Sequence, residues 1–158
     1  MNDYQINEDA LNIVKFYEGC RLTAYLCPAL ILTIGYGSTG KHVTEGLKIT
    51  QQEAEALLKK DLKRFEEGVK SYLKVPVSHN AYSALVSFTF NVGLGNLKES
   101  TLLKLINTNN QFKEAAEEFK KWDKAGGKVL AGLTKRRAAE RELFLNPGRK
   151  EKIEAIMK

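Results

Sequence analysis

The sequence predicts an α+β fold: a small β-hairpin or sheet lobe over residues 1–50, a linking helix over about 51–72, and a helical C-terminal lobe over about 73–158. Three observations carry this. Strand-forming Thr, Tyr, Ile and Leu are concentrated in CRLTAYLC and LTIGYGST, on either side of a turn containing Pro28. Apolar residues then recur at helical spacing from Ala54 through Leu57, Leu58, Leu62, Phe65 and Val69 to Tyr72. Beyond VPV at residues 75–77 the period stays helical to the end of the chain.

The elements follow in order. Asn7 is placed to cap a helix whose first turn carries Glu8 and Asp9, with Ile6 and Leu11 as a hydrophobic staple and Gly19 as its stop, so Glu18 falls in the last turn. The hairpin occupies residues 20–39, and KHVTEGLKI is a possible third strand. TQQE at Thr50–Glu53 reads as a capping box opening the long helix. Ser78 caps a helix apolar nearly all round, with Tyr82, Leu85, Val86, Phe88 and Phe90, which ends at GLGN. STLLKLIN, then QFKEAAEEFKKW with Phe112, Ala115, Ala116, Phe119 and Trp122 on one side, then TKRRAAERELFL and a short terminal helix make the remainder all helical.

At 158 residues and 43% hydrophobic content, the chain is long enough to bury its own core. Net charge is +6, and from Lys128 to Lys152 eight Lys/Arg stand against three Asp/Glu. That end should attract anionic partners such as cell-wall polymers, a membrane surface or nucleic acid. A nucleic-acid module has only this charge in its favour, because aromatic residues do not interleave with the basic ones and no helix-turn-helix or RNP signature is present. Cys20 and Cys27 lack the paired spacing of a zinc site, so no metal is expected, and seven residues apart on one hairpin arm they are poorly placed for a bridge. The polar, acidic opening MNDYQINEDA does not read as a signal peptide. AYSALVSFTFNVGLG, the longest near-apolar stretch at 15 residues, falls short of the roughly 20 a membrane span needs.

Glu18 is the first candidate for chemistry. A carboxylate at the negative end of a helix dipole, beside Phe16 and Tyr17, is pushed toward its protonated form and suits a general acid. Pro28 holds Cys27 extended, and if Ala29, Leu30 and Ile31 form the loop, Cys27 and Thr33 stand opposed on one face. Taken singly, each has a bland reading: a solvated glutamate, a small buried hydrophobe, a strand threonine.

Together the three give E-x(8)-C-x(5)-T, which resembles the E-x(8)-D/C-x(5)-T pattern of the phage lysozymes, or endolysins, of glycoside hydrolase family 24. EGCRLTAYLCP, TIGYGST, NVGLGNLKESTLLKLIN, WDKAGGKVLAGLTKRR and AAERELF are similar to that family in the same order, so the resemblance covers almost the whole chain. It implies one lysozyme-like catalytic domain over residues 1–158: a muramidase cutting the β-1,4 bond between N-acetylmuramic acid and N-acetylglucosamine for host cell lysis, with no cofactor. Glu18 would protonate the glycosidic oxygen, while Thr33 and Cys27 position water on the sugar's opposite face. Cys27 stands where many relatives carry aspartate. Because a free thiol has a pKa of about 8.5, either Cys27 is ionised by its surroundings or Glu18 and Thr33 carry most of the catalysis; the unperturbed value favours the second.

Supporting roles fall to Asn91, which could bind sugar or the hairpin, and to Arg136 or Arg137, either of which could pair with Glu18 or simply face solvent. His42 and His79 read as surface or cap residues. Two departures from the family stand out: Leu30, where many relatives have glycine, and Ser38, where histidine is common. The expected partners are peptidoglycan and a separate holin-type membrane protein, for a monomer held in the host cytoplasm until it is released to the wall. A lytic transglycosylase and a weakly active wall-binding domain are the alternatives.

Overall fold

In the computed structural model, the described residues are 5–108, 111–145 and 150–157. They form two compact units: one is Lys15–Arg64, and the other takes in the chain up to Val14 and from Phe65 onward. Arg149, part of the basic stretch, and the first four residues of the acidic opening lie outside the described residues.

Helix α1, Glu8–Glu18, starts as its cap predicts: the Ala10 N–H donates to Asn7 Oδ1 at 3.1 Å. Ala10, Leu11, Ile13 and Val14 are buried. Gly19, at φ 70°, ends the helix with its N–H on the Lys15 carbonyl. A β-carbon is disfavoured in that left-handed conformation, which is why the stop was readable.

Strands β1 (Arg21–Leu26), β2 (Leu32–Gly35) and β3 (Ser38–Thr39) form an antiparallel sheet in that order. Central β2 pairs Thr33 with Tyr25 on one side and with Thr39 on the other. The third strand therefore comes from the end of LTIGYGST, which bends at Tyr36–Gly37, and not from KHVTEGLKI. Gly40 and Gly46, both at positive φ, flank a run of turns there, and the segment meets the sheet at its end, where Lys48 bridges Thr23 as the Ala24 N–H donates to the Leu47 carbonyl and the Ile49 N–H to the Leu22 carbonyl, each at 2.8 Å.

Helix α2, Gln51–Tyr72, opens with the predicted capping box: Glu53 N–H donates to Thr50 Oγ1 and Thr50 N–H to Glu53 Oε1. Among the described residues no helix is long and apolar enough to cross a membrane. Helix α3, His79–Val92, is capped by Ser78 and is buried from Ala81 to Thr89. Helices α4 (Leu94–Glu99) and α7 (Ala131–Leu145) pack against it, α5 (Thr101–Asn107) packs against α4 and α6 (Phe112–Glu118), and α6 and α8 (Lys150–Met157) pack against α7. Phe88 meets Phe119 and Trp122 edge-on, and Phe119 meets Phe144 in the same way, so the aromatic side predicted for 112–122 does face the core.

The remainder is not all helical. Strands β4 (Lys124–Ala125) and β5 (Lys128–Val129) form a two-residue hairpin across Gly126–Gly127, both at positive φ. A Gly-Gly pair between short segments is a hairpin signal that the surrounding helical period obscures.

An ionic cluster ties α7 to α3. Arg136 and Arg137 are 2% and 0% exposed, and both reach Glu140, itself fully buried, at 3.1 Å. Ser87 donates to Glu140 Oε2 at 2.5 Å, Arg136 donates to the Ser87 carbonyl at 3.0 Å, and the Arg137 guanidinium lies over the Phe88 ring. The solvent-facing reading of this arginine pair is thus excluded. Removing the shared anion leaves two buried cations short of their counter-charge, so Glu140→Gln should destabilise the fold by about 3–5 kcal/mol in urea denaturation, with Ser87→Ala costing about 1–3 kcal/mol.

Candidate functional site

Glu18, Cys27 and Thr33 all belong to the unit Lys15–Arg64. Glu18 is the last residue of α1 and is half-buried. Its carboxylate stands over the backbone of Gly37: a β-carbon added there would lie 3.9 Å from Glu18 Oε1, and φ 91° already disfavours any side chain. Phe16 is 54% exposed and meets Tyr17 edge-on, so it does little to dry that turn, contrary to its expected role.

The hairpin loop is shifted by one residue from the sequence expectation. The Leu30 N–H donates to the Cys27 carbonyl at 2.8 Å and the Cys27 N–H to the Ile31 carbonyl at 3.1 Å, so the loop is Pro28–Leu30 and Cys27 faces Ile31. This is a turn with proline at its first corner, followed by a left-handed residue, as three-residue hairpin loops favour. The left-handed residue is Leu30, at φ 62°. Glycine takes that conformation freely, which explains physically why glycine suits this position. Thr33 faces Tyr25 directly and Cys27 lies on the diagonal. The same-face expectation survives the shift, because 25, 27, 31 and 33 share one side of the pleat.

Thr33 is 4% exposed and its hydroxyl donates to the Ile31 carbonyl at 2.9 Å. Around the half-buried Cys27 sulfur the hairpin presents donors. The Ile31 N–H is the strongest influence holding the thiol below its ordinary pKa; desolvation opposes it, and the Ala29 N–H and the Thr33 hydroxyl add to the lowering. The single Thr33 proton serves either the carbonyl or the sulfur, so thiolate formation and reorientation of that hydroxyl go together. A thiolate also accepts better than a thiol.

The supporting residues lie in the other unit. Asn91, in the last turn of α3, is exposed, and its Oδ1 accepts from Arg137 Nη2 at 2.8 Å. His42 shares a hydrogen bond of 2.9 Å with buried Ser38, and the His79 ring bonds the Gln5 carbonyl, so both act as local braces.

Sequence reasoning singled out none of the polar cluster behind Glu18. Lys15 is ion-paired with Glu55, whose other oxygen accepts from the Tyr36 hydroxyl at 2.8 Å and Gln51 Nε2 at 2.9 Å. The Lys15 contact, above all, holds the Glu55 carboxyl below its usual range, while burial and then the hydrogen bond to Glu55 push the Tyr36 hydroxyl up to about 12. The four residues come from three separate segments, and no local spacing links them.

Residues 15–140 match the phage lysozyme family profile. The endolysin of Bacillus phage B103 is 48% identical over 142 residues, covering 89% of this chain and 54% of the relative. The endolysin of Salmonella phage P22 is 40% identical over 146 residues, covering 90% of this chain and 99% of the relative. The chain therefore spans about half the length of the Bacillus phage relatives and nearly the whole of the P22 protein. Among solved structures, the muramidase domain of SpmX from Asticaccaulis excentricus superposes with a TM-score of 0.84 at 36% identity, covering 91% of this chain and 99% of that domain.

Two measurements bear on the hairpin. Leu30→Gly relieves a left-handed leucine that is 77% exposed, and should stabilise the fold by about 0.5–1 kcal/mol after the added freedom of the unfolded chain is offset. In a Cys20→Ser background, the pH midpoint of iodoacetamide modification at Cys27 should lie below that of a free thiol and move upward in Thr33→Val.

Proposed function

The chain belongs to the phage lysozyme family, and from that membership we propose that it is a peptidoglycan muramidase, hydrolysing the β-1,4 bond between N-acetylmuramic acid and N-acetylglucosamine as one lysozyme-like catalytic domain for phage-driven lysis of a bacterial host. Glu18 donates its proton to the glycosidic oxygen as the bond to the anomeric carbon breaks. Water adds to that carbon from the opposite face, held by the Thr33 hydroxyl and the Cys27 sulfur. The water's proton passes to the thiolate, and a later exchange with solvent restores both groups. Attack from the opposite face inverts the anomeric configuration.

The observation that carries the role of Cys27 is its lowered pKa within a hairpin that aims Ile31 and Ala29 N–H groups and the Thr33 hydroxyl at the sulfur. These donors favour the ionised reading over a dispensable thiol: a thiolate at this position supplies the negative charge that an aspartate supplies in relatives. Of the supporting residues, exposed Asn91 is the one able to touch sugar, and Arg137 holds its side-chain oxygen. Arg136, buried against Glu140 and Ser87, braces the helix that carries Arg137. The net charge of +6 suits attraction to anionic wall polymers, and a separate membrane-perforating partner would admit a cytoplasmic monomer to the wall.

Mass spectrometry of fragments released from purified peptidoglycan tests this reading. Reducing muramic ends are expected, with release falling by about 10³-fold or more in Glu18→Gln. Anhydro ends would identify a transglycosylase, and no fragments at all a wall-binding domain. Cys27→Ser should lower the rate by about 10–100-fold and Cys27→Asp should restore most of it. A Cys27→Ser rate equal to that of the parent chain would return Cys27 to the role of spectator.

A further inference from the structure

Resting on Glu18 as the proton donor, we propose that Lys15, Tyr36, Gln51 and Glu55 form a clamp that sets the position of the Glu18 carboxylate, with Tyr36 and Glu55 as its positioning residues.

The need for such a device follows from where Glu18 sits. The final residue of a helix belongs to the turn that frays most readily, because its carbonyls lack intrahelical partners. A proton donor must nevertheless keep its oxygen within hydrogen-bond reach of the leaving group, and a displacement of about 1 Å can cost about 10²-fold in rate.

The clamp grips both supports of that carboxylate. On the helix side, Lys15 lies three residues before Glu18 and is ion-paired with Glu55 Oε1. On the strand side, Tyr36 immediately precedes Gly37, the residue whose backbone faces Glu18 Oε1. The Tyr36 hydroxyl donates to Glu55 Oε2 at 2.8 Å, so one carboxylate joins helix to turn. Gln51 closes the arrangement, its Nε2 lying 2.9 Å from both the Tyr36 hydroxyl oxygen and Glu55 Oε2, and its Oε1 accepting from the Cys20 thiol at 3.8 Å. Glu55 and Gln51 sit on the opening turns of α2, whose first N–H groups are fixed by the Thr50–Glu53 box.

The protonation states suit the task. Glu55 remains an anion through neutral pH because Lys15 lowers its pKa, and Tyr36 remains a donor because its own is raised to about 12. Tyr36 is 7% exposed, so water competes little for its hydroxyl. Neither group is needed to transfer a proton; together they fix the gap between the end of α1 and the Tyr36–Gly37 turn.

Steady-state kinetics on soluble peptidoglycan fragments, with thermal midpoints measured in parallel, tests the clamp. Tyr36→Phe keeps the buried ring and removes only the hydroxyl, so it folds even if a charge variant does not. Tyr36→Phe and Glu55→Gln are expected to lower kcat by about 10-fold while KM stays within about twofold. Lys15→Met should fall with them, and Lys15→Arg should restore most of the rate. In a Glu18→Gln background, Tyr36→Phe should lower the residual rate no further. If Glu18→Gln itself keeps the parent rate, the donor assignment fails and the clamp with it. If Glu18→Gln is inactive yet Tyr36→Phe and Glu55→Gln retain kcat, or lose activity only through KM or in step with the thermal midpoint, the donor stands and the clamp is overturned.

Discussion

The register of the β1–β2 hairpin is the constraint on which the candidate site depends. Side chains alternate across a strand, so a slip of one residue would turn Thr33 away from Cys27 and bring Ile34 to that face. Three features prevent it. The Pro28–Leu30 loop closes between Cys27 and Ile31, Thr33 is paired on both sides within central β2, and Ile34, fully buried, anchors the opposite face. The closure uses a leucine in a left-handed conformation, a local cost that the paired strands hold in place.

The same loop governs the chemistry of the thiol. Because the chain reverses immediately after Cys27, the N–H groups of Ala29 and Ile31 converge on its sulfur. A turn that exposes successive N–H groups favours an anion whatever side chain supplies it. The backbone of the turn thus favours the anionic form of the side chain at this position.

In the unit containing α3 and α7, polar burial has a different use. Two buried guanidiniums converge on one buried carboxylate, with Ser87 and the Phe88 ring packed against them. Such a cluster adds little net stability compared with apolar packing, but it penalises any arrangement of α7 on α3 that separates the charges. Arg137 also holds the side-chain oxygen of Asn91, so the order of the buried cluster passes to an exposed side chain.

Much was legible from sequence because it is local. The caps at Asn7, Thr50 and Ser78, the stop at Gly19 and the long period of α2 are set by neighbours within four residues, and each was read correctly. The order of E-x(8)-C-x(5)-T, with the longer similar stretches around it, sufficed to indicate the family. Tertiary structure decided what depends on residues far apart or on a single backbone angle: the one-residue shift of the hairpin loop, the third strand at Ser38–Thr39, the burial of the arginine pair, and the Lys15–Tyr36–Gln51–Glu55 cluster. Periodicity identifies the face a residue shares with its own element. It carries no information about which charged group from another segment will meet it there.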